Sequence, residues 1–458
     1  MRLLKLPTLV SIFVLGILIA GCQAVKEVPP KTAIVPTAPV ETAPAATPTA
    51  QPSATPVAAR SLVLCVQDEP QSLYIYAGNS NSMWSILEAI YDGPIDTRNY
   101  ATQPVLLTKI PTLADGDAVI ESVPVNAGDL VINADGNLST LQTGTKVLPS
   151  GCNSASCATV WDGKSSFSMD QLVVNFELLP GLKWSDGAPL TAADSVFSYS
   201  LAAAPDTPTS KYLTDRTLSY QAVDDLSVQW KGVPGFYEQG FDTFFWLPLP
   251  NHSLGALSAK QLLSDQTANR APLGWGPYVI QEWAAGDHIT LRKNPNYFRA
   301  AEGLPKFDTL VYRFVGETAD GDMNALLAGE CDAVDQNPQF LEQFPGLVQR
   351  ETDKKLQTYV GQGPEWEHLD FGIVPAADDN GTPSSDRPNF FGDARTRQAF
   401  ADCIDRASIN QALLYGRGLV PGSFVPPNHP LYQKDLPQYA FNQAEGAKLL
   451  DEVGWKDT

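Results

Sequence analysis

Histidine and methionine are scarce in this 458-residue chain, four of each, and basic residues fall well short of acidic ones. The histidines (His252, His288, His368 and His429) are far apart and none stands in an H-E-x-x-H pattern, so nothing suggests a histidine-built zinc site. Neither a G-x-S-x-G elbow nor a dinucleotide fingerprint occurs, so the common hydrolase and oxidoreductase signatures are missing. The only G-K-S run, Gly163-Lys164-Ser165, lacks the upstream glycine of a phosphate loop and reads as a turn. "NADGN" and "DDNGTPSSD" fall short of a calcium loop's ligand spacing and also read as turns. The expectation is a chain without catalytic residues, metal or cofactor. Thirty-one Lys and Arg against fifty-one Asp and Glu give a formal charge of −20, carried wholly by the body, because the first sixty residues are net basic. So acidic a body suits solubility and is a poor match for phosphate backbones, which excludes nucleic-acid partners.

Long apolar runs are missing too, except at the start. Arg2 and Lys5 precede an apolar run from Leu9 to Ile19, shorter than a membrane span requires. It ends in "LIAGC", which resembles the lipobox of bacterial lipoproteins. The resemblance implies that residues 1–21 are a signal peptide and that the Cys22 thiol receives a diacylglycerol. Two acyl chains at about 0.8 kcal/mol per buried methylene suffice for stable attachment to a bilayer. The protein is therefore expected outside the cytoplasm, anchored to the bacterial membrane by its lipid. Residues 22–60 are rich in Pro, Ala and Thr, a composition that favours extended polyproline II over a packed core and reads as a stalk.

With Cys22 lipidated, Cys65, Cys152, Cys157, Cys331 and Cys403 remain, and spacing alone leaves most pairings open. Cys152 and Cys157 close the short loop "CNSASC", and an oxidising compartment would couple thiols held so near each other.

From Ser61 the chain alternates strand and helix patterns, which predicts mixed α/β architecture. "SLVLCVQ" reads as a strand. Met83, Ile86, Leu87, Ile90 and Tyr91 recur at helical spacing, with Ser82 as the N-cap. Residues 104–168 are turn-rich. Thr191 and Asp194 form a capping box, and Asp393 and Asn442 stand where later helices begin. "FDTLVYRFV", "CDAV" and "LDFGI" read as further strands.

Five stretches carry a resemblance. "LKWSDGAPLTAADSVFSY", "GWGPYVIQEWAAGDHITLRKNPNYF", "FDTLVYRFV…ALLAGECDAV", "FGDARTRQAFADCIDRASI" and "AEGAKLLDEVGW" follow one another as in the family 5 extracellular solute-binding proteins of ABC importers. That group includes oligopeptide-, dipeptide- and nickel-binding proteins. The resemblance covers Ser61 to Thr458 and implies an α/β, two-lobed periplasmic-binding-protein-like (type II) fold, hinged to close on a ligand. It puts the first lobe at 61–296, with an elaboration at about 104–168, and the second at 297–458, incomplete at its C-terminus. Family members continue past "DEVGW", so the acidic residue that commonly pairs with a peptide amine would lie beyond Thr458. Implied partners are a peptide ligand, a permease and ATPase subunits in trans, and the bilayer, with the head a monomer. An oligosaccharide or metal-chelate ligand, or a sensor without a permease, are the competing readings.

The resemblance directs attention to the loop after the first strand, where Tyr74 and Tyr76 offer flat contact surface. It also points to Trp275 in "GWGPY", Trp366, and Asp370 and Gly372 in "LDFGI". In the implied fold Cys331 and Cys403 are neighbours, so a disulfide between them is expected, leaving Cys65 a buried free thiol.

Overall fold

The computed structural model describes residues 12–13, 59–316, 318–335, 340, 343–361, 363, 365–373 and 389–456. Cys22, the signal sequence apart from residues 12–13, and nearly all of the stalk lie outside the described residues. Among the described residues no helix is long and apolar enough to cross a membrane.

Two sheets and one helix enclose the main core. The first sheet has five strands in the order Tyr278–Ala284, His288–Lys293, Thr309–Phe314, Ser61–Val66, Ala333–Val334. The first three run antiparallel to one another, whereas Ser61–Val66 is parallel to both strands beside it. The second sheet is antiparallel throughout: Thr217–Ala222, Ser227–Gly232, Phe167–Glu177, Ala118–Val125. Strand periodicity sorts its faces, so Val228, Trp230 and Gly232 point inward while Ser227, Gln229 and Lys231 are half-exposed. Leu172, Val174, Phe176 and Trp230 of this sheet share a cluster with Ile289, Leu291, Leu310 and Tyr312 of the first. Met83, Ile86, Leu87 and Ile90 of helix Asn81–Ile90 complete it, as their three- and four-residue spacing requires.

Strands Thr309–Phe314 and Ala333–Val334 are hydrogen-bonded neighbours of Ser61–Val66, so the expected lobe boundary between 296 and 297 falls inside one sheet's strand sequence. The chain returns to the first strand after 296 because Leu310, Tyr312 and Phe314 pack into the same core. The stretch 104–168 is likewise only partly an elaboration. Its strand Ala118–Val125 pairs with Phe167–Val174 over eight residues and belongs to the second sheet. The small hairpins 130–140 and 146–160 pack around a satellite cluster of Val131, Leu141, Val147, Trp161 and Met169.

Cys152 and Cys157 are bonded, with Cα atoms 5.8 Å apart. The second disulfide corrects the expectation, because Cys65 pairs with Cys331 and Cys403 is a free, exposed thiol. The reason is strand pairing. Ala333 and Val334 sit opposite Leu64 and Cys65, and Cys331, three residues before Val334, has its Cα 5.7 Å from that of Cys65. On helix Ala394–Cys403, it is Thr396, Ala399 and Asp402 that are buried.

Candidate functional site

The three parallel strands Ser61–Val66, Thr309–Phe314 and Ala333–Val334 end on one edge of the first sheet. In open α/β sheets ligands meet the protein just beyond such carboxyl ends. The chain leaves this edge as the loop 67–80, residues 315–316, and Asp335. Helix Asn81–Ile90 lies beside it, capped by Ser80, whose side chain accepts from Met83 N at 3.2 Å. Ser82, the expected cap, instead donates to Asp68 at 2.7 Å from inside the helix.

The outward face of this helix forms the rim. Asn79, Asn81 and Trp84 are exposed, and the Trp84 indole N–H donates to Asn79 Oδ1 at 2.9 Å. One turn on, Ser85 Oγ donates to the Asp335 carboxylate, while the Tyr312 hydroxyl donates to the Ser85 carbonyl at 2.7 Å. Glu88 completes the stripe. Burial raises its carboxyl above the ordinary range, and the charges of Asp335 and Asp96 add to that. None of these residues had been singled out. The signal was present, because positions 81, 84, 85 and 88 are the complement of the apolar stripe at 83, 86, 87 and 90.

Glu69 holds the loop to the rest of the edge. Its carboxylate accepts from Trp283 Nε1 at 2.7 Å, Gly286 N at 2.8 Å and Arg270 at 3.1 Å, and the Arg270 guanidinium stacks 4.0 Å over the Trp283 ring. Burial pushes this carboxyl up, but the bonds from Gly286, Trp283 and Arg270 together outweigh it and hold the group below its usual value.

The expected ligand residues fall into two groups. Tyr74 is 2% exposed and packs with Leu201, Leu249 and Leu262. Tyr76 meets it edge-on at 5.6 Å, and its hydroxyl is bonded to Ser198 Oγ at 2.8 Å. Trp275 is wholly buried between Tyr91 and Trp184, its N–H donating to the Asp92 carbonyl at 2.9 Å. A β-carbon at Gly274 or Gly276 would strike the Ile90 carbonyl. The glycines of "GWGPY" therefore permit close backbone contact and drive the indole into the core. Tyr74, Tyr76 and Trp275 serve packing here rather than offering surface to a ligand.

Trp366, Asp370 and Gly372 are exposed on a segment without strand pairing, so "LDFGI" is not a strand among the described residues. Trp366 stands at 4.2 Å from His368 and 6.3 Å from Phe424, and His368 is 3.6 Å from Asp370. Among the described residues no ring contact, hydrogen bond or ion pair joins this group to Tyr74, Tyr76 or Trp275. No cluster of three or more His, Cys, Asp or Glu side chains able to hold a metal occurs among the described residues.

The sequence profile of the bacterial extracellular solute-binding proteins, family 5 Middle, matches residues 158–458. This chain belongs to that family. The oligopeptide-binding protein AppA of Bacillus subtilis is 29% identical over 305 residues, covering 63% of this chain and 49% of AppA. A putative ABC transporter peptide-binding protein of Brucella ovis is also 29% identical, over 295 residues, with 63% and 50% covered. The family 5 chain thus spans about half the length of the curated relatives it matches. Among solved structures, HbpA2 from Haemophilus parasuis superposes with a TM-score of 0.55 at 18% identity, covering 86% of this chain and 67% of that one. That likeness concerns the fold alone, the mixed α/β fold of two-lobed binding proteins.

Proposed function

We propose that this family 5 protein captures peptides outside the cytoplasm and delivers them to the permease of an ABC importer. The observation that carries the reading is the rim itself: an exposed tryptophan, paired asparagines and a stripe of hydroxyl and carboxylate groups at the carboxyl ends of parallel strands. Asparagine amides and hydroxyls suit peptide main chain, and an indole face tolerates varied side chains. The names of AppA and of the Brucella ovis protein agree with a peptide ligand. Trp366, Asp370 and Gly372 are proposed to meet the ligand from the second lobe. Lipidation of Cys22, removal of residues 1–21 and a stalk over 22–60 would hold the head at the membrane. ATP hydrolysis and the transmembrane path would belong to partner subunits.

Closure on a ligand requires contacts made only in the closed state. Calorimetry of the purified protein against separate peptide, oligosaccharide and nickel-chelate pools tests the reading. Saturable heat with peptides, weakened by Trp84→Ala, is the expected result. Heat only with sugars or chelates, or none with any pool, rejects it.

A further inference from the structure

Just beyond the rim helix the chain makes a hairpin. Its strands Ile95–Arg98 and Ala101–Pro104 pair from Ile95 opposite Pro104 to Arg98 opposite Ala101, which leaves Asn99 and Tyr100 as a two-residue turn. Most of the hairpin is exposed, and Thr102 Oγ1 ties it down by donating to the Asp242 carboxylate at 2.8 Å, between the core residues Phe241 and Phe244.

The tip breaks a rule. Both turn residues have positive φ, +50° for Asn99 and +63° for Tyr100. A turn of this kind favours Asn followed by Gly, because a bulky side chain in the left-handed region crowds its own backbone. Asn99 conforms and Tyr100 does not, so the tyrosine is held there by something outside the hairpin. Its ring lies 4.7 Å from the imidazole of His429, far along the chain.

His429 is prepared for this contact from its own side. Its backbone N–H donates to the Pro426 carbonyl at 2.9 Å, and its carbonyl accepts from Tyr432 N at 3.0 Å. Its Nδ1 accepts from Leu431 N at 3.1 Å, which fixes the plane of the ring. Pro427, Asn428 and Pro430 around it are exposed, whereas His429 and Tyr100 are both half-buried. A few residues before His429, Phe424 stands beside Trp366.

We propose that the hairpin Ile95–Pro104 is a strap between the two walls of the ligand cleft, with Tyr100 against His429 as its clasp. One end of the strap continues the rim helix that carries Trp84, and the other is fastened to the segment that places Phe424 beside Trp366. Fastened, it limits how far the walls separate in the free protein and so reduces the ordering that a ligand must impose. That the two walls share a ligand rests on the function proposed above; the clasp does not.

Hydrogen exchange on the purified chain without ligand tests the clasp, and peptide calorimetry tests what it does. Tyr100→Gly gives the turn the residue it favours, so the hairpin stays formed and only the ring contact is lost. Exchange at the Leu431 and Tyr432 amides should then rise about two- to tenfold, the range one lost aromatic contact supplies, while the hairpin amides keep their parent rates. Tyr100→Phe should keep parent rates in both places. Peptide affinity should fall in Tyr100→Gly by a similar factor and hold in Tyr100→Phe. Unchanged exchange at 431 and 432 overturns the strap whatever the peptide result, and so does faster exchange with unaltered peptide affinity. A parent protein that binds no peptide rejects the proposed function instead, and exchange alone then decides the clasp.

Discussion

Asp194 illustrates how much one buried carboxylate organises. It is almost fully buried, and it accepts from Thr191 N at 2.9 Å, Asn251 N at 3.0 Å and the Trp184 indole N–H at 3.2 Å. The capping box visible in the sequence accounts for only the first of these bonds. Asp194→Ala would strand the buried Trp184 indole N–H and two part-buried backbone N–H groups, at about 1–3 kcal/mol for each donor left unpaired. We expect a loss of at least about 3 kcal/mol, read as a lower urea midpoint, with Asp194→Asn losing less. Glu88 behaves oppositely. Its folded-state pKa is raised, first by burial and then by Asp335 and Asp96, so the folded protein holds this proton more tightly than the unfolded chain does. The penalty is absent below the unfolded value and sets in as pH rises through the folded one. Glu88→Gln should therefore raise the melting temperature at pH 7 and lose that advantage below about pH 4. An equal gain at both pH values would contradict this account.

Helix ends were readable from short-range chemistry because a cap is satisfied within a few residues. Asp393 accepts from Arg395 N at 2.9 Å and Asn442 from Glu445 N at 3.1 Å, both at the expected sites. The first helix begins two residues early because Ser82 is taken by Asp68, a choice the local pattern does not reveal. Disulfide pairing is the clearest case of information that spacing lacks. Cys65 and Cys331 are 266 residues apart and meet because the edge strand that follows Cys331 pairs with the first strand. In the chain-entropy model a loop of this length contributes about 5.5 kcal/mol. The double variant Cys65→Ala, Cys331→Ala should show a correspondingly lower denaturant midpoint. Mass spectrometry of the unreduced protein should recover a peptide pair linked through Cys65 and Cys331, with Cys403 open to alkylation. A Cys331–Cys403 peptide would refute the pairing.

At the scale of the whole molecule the two ends of the described chain differ. The part up to about residue 314 encloses a core shared by both sheets. Between Trp366 and Trp455 many apolar side chains face solvent, and Leu369, Leu413, Phe424 and Leu431 are each more than half exposed. Apolar surface on this scale binds hydrophobic dyes in the folded state. Anilinonaphthalene sulfonate fluorescence should rise on mixing with the native protein and fall in the variant Phe424→Ser, Leu431→Ser. No enhancement with the native protein would show that this surface is covered in solution.

By itself the sequence determined several of the main strands and helices, the mixed α/β class, most helix caps and the family, because each follows from local spacing and short motifs. Within the "LKWSDG" stretch, Gly187 takes a φ of +94° that favours glycine. Only the tertiary structure decided which aromatic residues are core and which are rim. Trp275 and Trp84 are the same residue type, yet one is buried by the close approach of Gly274 and Gly276 to Ile90 and the other stands exposed. Burial is set by what packs from distant parts of the chain, as is the partner of Cys331, and neither distance is encoded at the residue that experiences it.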